Sequence, residues 1–167
     1  VFLKDNNGRI ALELALDKSK IVSEGLNNYG EAINSPILNG QIWYDAKFNI
    51  PSSSVKRANE ILDKNWKKIQ PEEYFKFEYE QILKEKKAEL EQIASSSPTG
   101  TAEMEIAKQN IEETIRQSMN SEQVFYRQEK NKILKLTITT ADSPEYKKVA
   151  EEIAKMWRAI GITTDIN

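Results

Sequence analysis

The sequence predicts an α/β protein whose chain is interrupted by an antiparallel helical hairpin. Three observations predict it. Residues 132–166 alternate strand, helix and strand; residues 1–70 hold capped, apolar-faced helices separated by turn-formers; and residues 71–132 have a composition of their own. The chain has 167 residues, of which 39% are hydrophobic, enough for one core of ordinary size. The middle carries 9 basic and 13 acidic side chains, and Gly100 is its one glycine. Its flanks are near balance, 10 against 8 in residues 1–70 and 5 against 5 in residues 133–167.

In chain order, Ile10, Leu12, Leu14, Ala15 and Leu16 begin an apolar helix that starts near Asn7 or Gly8. Asp17 reads as the cap of a further turn or two through Ile21, Val22 and Leu26, with Gly25 near its stop. From Asn27 to Pro51 the helical signal fails among turn-formers such as Asn34-Ser35-Pro36 and Asn39-Gly40. A loop of that length inside a compact domain is often functional. Ser52–Ser54 can then cap a helix with Val55, Ala58, Ile61 and Leu62 on one face, ending near Trp66.

Two helices are expected in the middle. Phe75, Tyr79, Ile82, Leu83, Leu90 and Ile93 share one seam, and Met104, Ala107, Ile111, Ile115 and Met119 the other. The breaker from Ser95 to Gly100 folds them into an αα-hairpin. Beyond it, Lys132–Thr140 alternates as a strand with Leu134, Leu136 and Ile138 facing one way. Asp142 or Ser143 caps the next helix and Pro144 takes its first position. That helix places Tyr146, Val149, Ala150, Ile153, Trp157 and Ile160 on one face; Gly161 ends it, and Ile162–Ile166 is a second strand. Such a βαβ unit has parallel strands and a right-handed crossover.

Composition excludes much chemistry. With no His and no Cys, the chain can form no Cys/His zinc site, catalytic thiol, Ser-His-Asp triad or disulfide. A net charge of −2 argues against a general nucleic-acid partner. No paired carboxylates or phosphate-binding glycine motif stand out, which argues against an enzyme, and no cofactor is expected. Lys84, Lys86 and Lys87 are surrounded by glutamates and read as a salt-bridge-laced helix face. Two places remain as candidates for ligand contact. One is the long loop, with Trp43 and Tyr44 side by side; the other is the strand-to-helix turn Thr139–Ser143, where open α/β sheets collect ligands.

Four stretches carry a family resemblance: Arg9–Val22, Tyr29–Ile37, Ser54–Trp66 and Leu134–Ile162. In order and spacing they resemble the extracellular solute-binding proteins of family 5, the peptide- and nickel-carrying receptors of ABC importers. Asn65 stands where that family usually has glycine. The resemblance implies a partial periplasmic-binding-protein-like lobe, residues 1–70 with 133–167, belonging to a larger two-lobed hinged protein. It makes residues 71–132 a helical-hairpin insertion where the family has a short loop. It further implies a peptide or small-molecule solute and an ABC permease as partners of the full-length protein. The location it implies is extracellular or periplasmic, with membrane attachment only through an N-terminal anchor outside this chain. Position alone makes Asn34, Ser35, Trp43, Thr140 and Asp142 the cleft-facing residues. The alternative is a protein-interaction module that works through the 71–132 hairpin.

Overall fold

Helices and two small sheets make up the regular structure of the computed structural model, which describes residues 2–38, 40–45, 47, 52–96 and 98–167. Its contacts divide the chain into two compact units, Val1–Lys68 with Arg127–Asn167, and Ile69–Tyr126.

In the first unit, Asp5 caps α1 (Asn6–Ala15) by accepting a hydrogen bond from the Asn7 amide at 3.2 Å. The helix therefore starts ahead of the expected Asn7 or Gly8. Leu16 turns extended, and Asp17 caps α2 (Lys18–Lys20), which runs on as a π-helical turn through Ile21–Gly25. Ser54 caps α3 (Val55–Leu62) through the Arg57 amide, and its own amide donates to the Leu14 carbonyl at 2.6 Å, joining α3 to α1. Helix α3 ends four residues before Trp66, because the Leu62 carbonyl accepts the amides of both Asn65 and Trp66 in a closing turn. Ala11, Leu12, Leu14, Ala15, Ala58 and Leu62 bury the facing sides of α1 and α3, with Leu134, Ile160 and Ile162 completing the core.

Strands β1 (Lys67–Ile69), β2 (Tyr126–Glu129) and β3 (Lys132–Ile133) form one sheet in that order, with β2 and β3 antiparallel. Neither β1 nor β2 is expected from the sequence, which places residues 126–129 in the helical segment. Tyr-Arg-Gln-Glu has no apolar alternation, so its extended form is decided by its neighbours in the sheet. The strand expected over 132–140 is divided at Leu134. Its amide donates to the Arg127 carbonyl at 2.8 Å, and its carbonyl accepts from the Thr163 amide at 3.0 Å, so one residue bonds into both sheets.

Beyond Leu134, β4 (Lys135–Ile138) pairs in parallel with β5 (Thr163–Ile166), linked through helix α7 (Pro144–Arg158). This is the βαβ unit. Gly161 has a φ of +86°, a conformation glycine adopts without strain, and the Ile162 amide closes onto the Trp157 carbonyl. Ala150 and Ala154 are buried, whereas Tyr146, assigned by its spacing to the inner face, is 57% exposed. Periodicity gives a helix its inner face but does not say how far the surface beneath extends; Tyr146 lies in the first turn, past that edge.

The second unit holds α4 (Pro71–Glu85), α5 (Lys87–Ser96) and α6 (Gly100–Ser118). A capping box between Gln70 and Glu73 starts α4. The single helix expected through Ile93 is broken at Lys86, whose ψ of 8° departs from helical geometry. Helix α6 runs antiparallel to α4 and α5. Gly100 lies against Ile93 at one end, and Arg116 lies over the Phe75 ring at 4.1 Å at the other. A Cβ on Gly100 would fall 2.3 Å from the Ile93 carbonyl oxygen, so only glycine permits that approach. Ser97 in the expected breaker, and Asn39 and Pro51 in the expected loop, lie outside the described residues.

Candidate functional site

Residues 26–45 contain no helix or strand among those described, as the density of turn-formers leads one to expect. Asn27 and Asn28 have φ of +50° and +64°, a left-handed conformation asparagine takes at low cost. Trp43, at φ +75°, takes it at a higher cost and leaves its ring 85% exposed. The loop encloses a polar concavity of about 500 Å³, with Glu31, Asn34, Ser35, Leu38 and Tyr44 among its walls. A carboxylate, an amide and hydroxyls arranged this way can hydrogen-bond a polar ligand.

Asn34 and Ser35 are thus brought together in one wall. Ser35 Oγ accepts the Ile37 amide at 3.3 Å, holding a tight local turn. Asn34 Oδ1 accepts from Lys18 Nζ at 3.5 Å, and the same ammonium donates to the Ile33 carbonyl at 3.2 Å and pairs with Glu13 at 2.8 Å. Trp43 is on the same loop but not in that wall.

Thr140 and Asp142 stand elsewhere, just past the carboxyl end of β4. The Thr140 amide donates to the Asn167 carbonyl at 2.9 Å, extending the β4–β5 ladder. Asp142 is 92% exposed and pairs with Lys147 at 2.5 Å. Nearby, the Ser143 hydroxyl bonds the Glu145 carboxylate and, with the Glu145 amide, holds its pKa below the ordinary value. Among the described residues, no hydrogen bond or ion pair joins the Asn34–Ser35 wall to Thr140 and Asp142. Nor, among those residues, does any group of three or more Asp or Glu form a metal cage.

One polar centre had no signal in the sequence. Arg127 is fully buried. Its Nε donates to the Ile160 carbonyl at 2.6 Å, Nη1 to Asp63 Oδ1 at 2.9 Å and to the Trp66 carbonyl at 3.0 Å, and Nη2 to Asn59 Oδ1 at 2.5 Å. The guanidinium therefore ties the end of α3 to the corner between α7 and β5. Burial draws its pKa below the ordinary arginine value, while Asp63 opposes that. For Asp63, burial pushes upward, but the hydrogen bonds from Arg127 and Lys68 outweigh it and leave the carboxyl below its usual range. The guanidinium itself is sequestered from solvent, whereas the side chain of its partner Asp63 stays about half exposed, and the bonds among them serve the fold.

The model of the bacterial extracellular solute-binding proteins, family 5 Middle, matches residues 2–167. This chain belongs to that family. The resemblance carried by Arg9–Val22, Tyr29–Ile37, Ser54–Trp66 and Leu134–Ile162 is thereby confirmed. Two solved structures share the fold of this family 5 chain. One is the oligopeptide-binding protein AppA of Bacillus subtilis in complex with a nonapeptide, at a TM-score of 0.57 and 18% identity, covering 99% of this chain and 23% of that one. The other is NikZ of Campylobacter jejuni in complex with Ni(L-His), at a TM-score of 0.57 and 20% identity, with the same coverages of 99% and 23%. The family 5 chain thus spans about a quarter of the length of either. No curated protein sequence matches it. Among its described residues no helix is long and apolar enough to cross a membrane.

Proposed function

We propose that this chain forms part of the solute-binding component of an ABC importer and supplies one wall of a cleft for a peptide or similar small solute. The family match across residues 2–167 carries the reading. Three features of the α/β unit support it. The polar wall containing Asn34 and Ser35 offers amide and hydroxyl groups of the kind that bind peptide carbonyls and amides. Thr140 and Asp142 stand where open α/β sheets present residues to ligands, beyond the carboxyl end of a parallel strand. Trp43 offers an exposed ring for stacking. The solute is gripped and released through lobe closure, with no bond made or broken and no cofactor. The partners are the solute and an ABC permease, with no nucleic acid. The setting is extracellular or periplasmic, anchored through a segment N-terminal to this chain. Residues 71–132, the helical-hairpin insertion of this reading, lie outside the ligand site.

Calorimetry of the full-length protein against short peptides and against a nickel–histidine complex tests this. A peptide bound with Kd of about 1 μM or tighter, roughly −8 kcal/mol, is the expected result. Binding of the nickel complex alone would remove the peptide from the proposal, and binding of neither would remove the importer role.

The second reading, a protein-interaction module, is favoured by one observation. An open, largely apolar groove of about 370 Å³ lies between α6 and the α4–α5 pair, with Ile82, Leu90, Ile93, Ala107 and Ile111 in its walls. Replacing residues 71–125 by a short linker separates the two, provided Arg127 is spared. Solute binding survives under the first reading, and a protein partner is lost in pull-down under the second.

A further inference from the structure

We infer that Lys18 is a positioning residue. It holds the 30–37 segment against the helices and so turns the amide nitrogen of Asn34 toward an acceptor group of the solute, a peptide carbonyl or a carboxylate. The inference rests on the proposal that the Asn34–Ser35 concavity meets solute.

Two stretches of chain meet at Lys18 Nζ: it donates to the Ile33 carbonyl at 3.2 Å and to Asn34 Oδ1 at 3.5 Å, and it forms an ion pair with the Glu13 carboxylate of α1 at 2.8 Å. An ammonium has only donors, so each oxygen it bonds must be an acceptor. The same fact orients Asn34. Its oxygen must face Lys18, which leaves the Nδ2 hydrogens to donate elsewhere. The lysine and glutamate side chains are 27% and 33% exposed, a partly shielded pair rather than a freely solvated one. The lysine stem shares the walls of an apolar concavity of about 430 Å³ with Ile21, Val22, Ile33 and Pro36, so its methylenes pack where its charge bonds.

Nothing else polar does this work for the segment. Among the described residues from Gly30 to Ile37, the remaining hydrogen bond is the local one from the Ile37 amide to Ser35 Oγ. With no helix or strand of its own, the segment takes its placement from side-chain ties, and Lys18 supplies them.

Backbone 15N order parameters of the 167-residue chain test the anchor without any ligand. K18M lowers the order parameters across residues 30–37 from about 0.85 to below about 0.6, leaves those of α1 and α7 unchanged, and K18R restores them. Unchanged order parameters in K18M, or an equal fall in α1 and α7, would overturn the inference. Trialanine titrated into the full-length protein tests the orientation. Affinity falls about tenfold in K18M and in N34D and recovers in K18R; an unchanged affinity in K18M overturns the role toward solute. Should the wild-type protein bind no trialanine while K18M still loosens residues 30–37, the anchor stands and the peptide reading fails.

Discussion

Among the described residues, nine of the α/β unit, Ala11 to Ile162 in sequence, form one contiguous buried cluster, with Phe2, Ile61, Trp66, Leu136 and Trp157 packed around it. In the helical unit each helix contributes far less: Tyr74 from α4, Leu90 from α5, and Ile115 with Gly100 from α6. Its other ties are discrete. Tyr74 and Tyr126 stack with centroids 3.9 Å apart, and Arg116 lies over Phe75 while pairing with Glu112 at 3.2 Å. The difference teaches where stability resides. Burial of apolar area scales with the size of a shared core, so the α/β unit draws on many mutually supporting contacts. The helical unit draws on thin seams, and exposed ion pairs add little to them. Buried polar side chains occur in both units, Gln123 in the helical one and Arg127 and Thr164 in the α/β one, where the fully buried guanidinium is the largest of them.

Substitutions break or sharpen this comparison in a definite order. Arg127→Met has the largest effect, about 3–5 kcal/mol in urea unfolding, because it strips Asp63, Asn59 and the Ile160 and Trp66 carbonyls of their donor. A loss below about 1 kcal/mol would show that water replaces the guanidinium. Leu62→Ala follows at about 3 kcal/mol, since Leu62 is 2% exposed within the cluster and leaves a cavity that cannot fill. Leu90→Ala costs less, about 2 kcal/mol, because Leu90 borders an open groove where solvent can occupy the space. Equal losses at the two leucines would erase the distinction between the units.

Acid titration gives a smaller, signed effect. The pKa of Asp63 lies below its ordinary value of 3.8 in the folded chain, so its ion pair stabilises the fold above that value. The contribution fades as pH falls through the depressed folded value. Asp63→Asn lowers neutral stability and flattens the acid limb of stability against pH; an unaltered limb would remove Asp63 as its source. Smallest of all, Glu112→Gln costs at most about 0.5 kcal/mol and its effect vanishes in 1 M salt, because both partners of the pair with Arg116 are about half exposed.

Much of this architecture was legible in the residues. Asp17, Ser54, Pro144 and Gly161 mark helix ends through chemistry that acts within four residues, and Leu134, Leu136 and Ile138 mark a strand face by simple alternation. The family itself was legible in four short stretches. Less legible was the extent of elements that depend on remote partners. Tyr146 falls outside the buried face, α4 and α5 separate at Lys86, and residues 126–129 become a strand.

The candidate site divides in the same manner. Asn34 and Ser35 are neighbours in sequence and share a wall, whereas no bond joins them to Thr140 and Asp142 among the described residues. What the sequence determined by itself was local: caps, turns, periodic faces, and the absence of any His or Cys chemistry. Only the tertiary structure decided that Lys18 grips Ile33 and Asn34, 15 and 16 residues on, and that Arg127 reaches partners 33 to 68 residues away. A charged side chain in a sequence reads as solvated by default. Whether it is buried depends on acceptors that only folding brings within 3 Å of it.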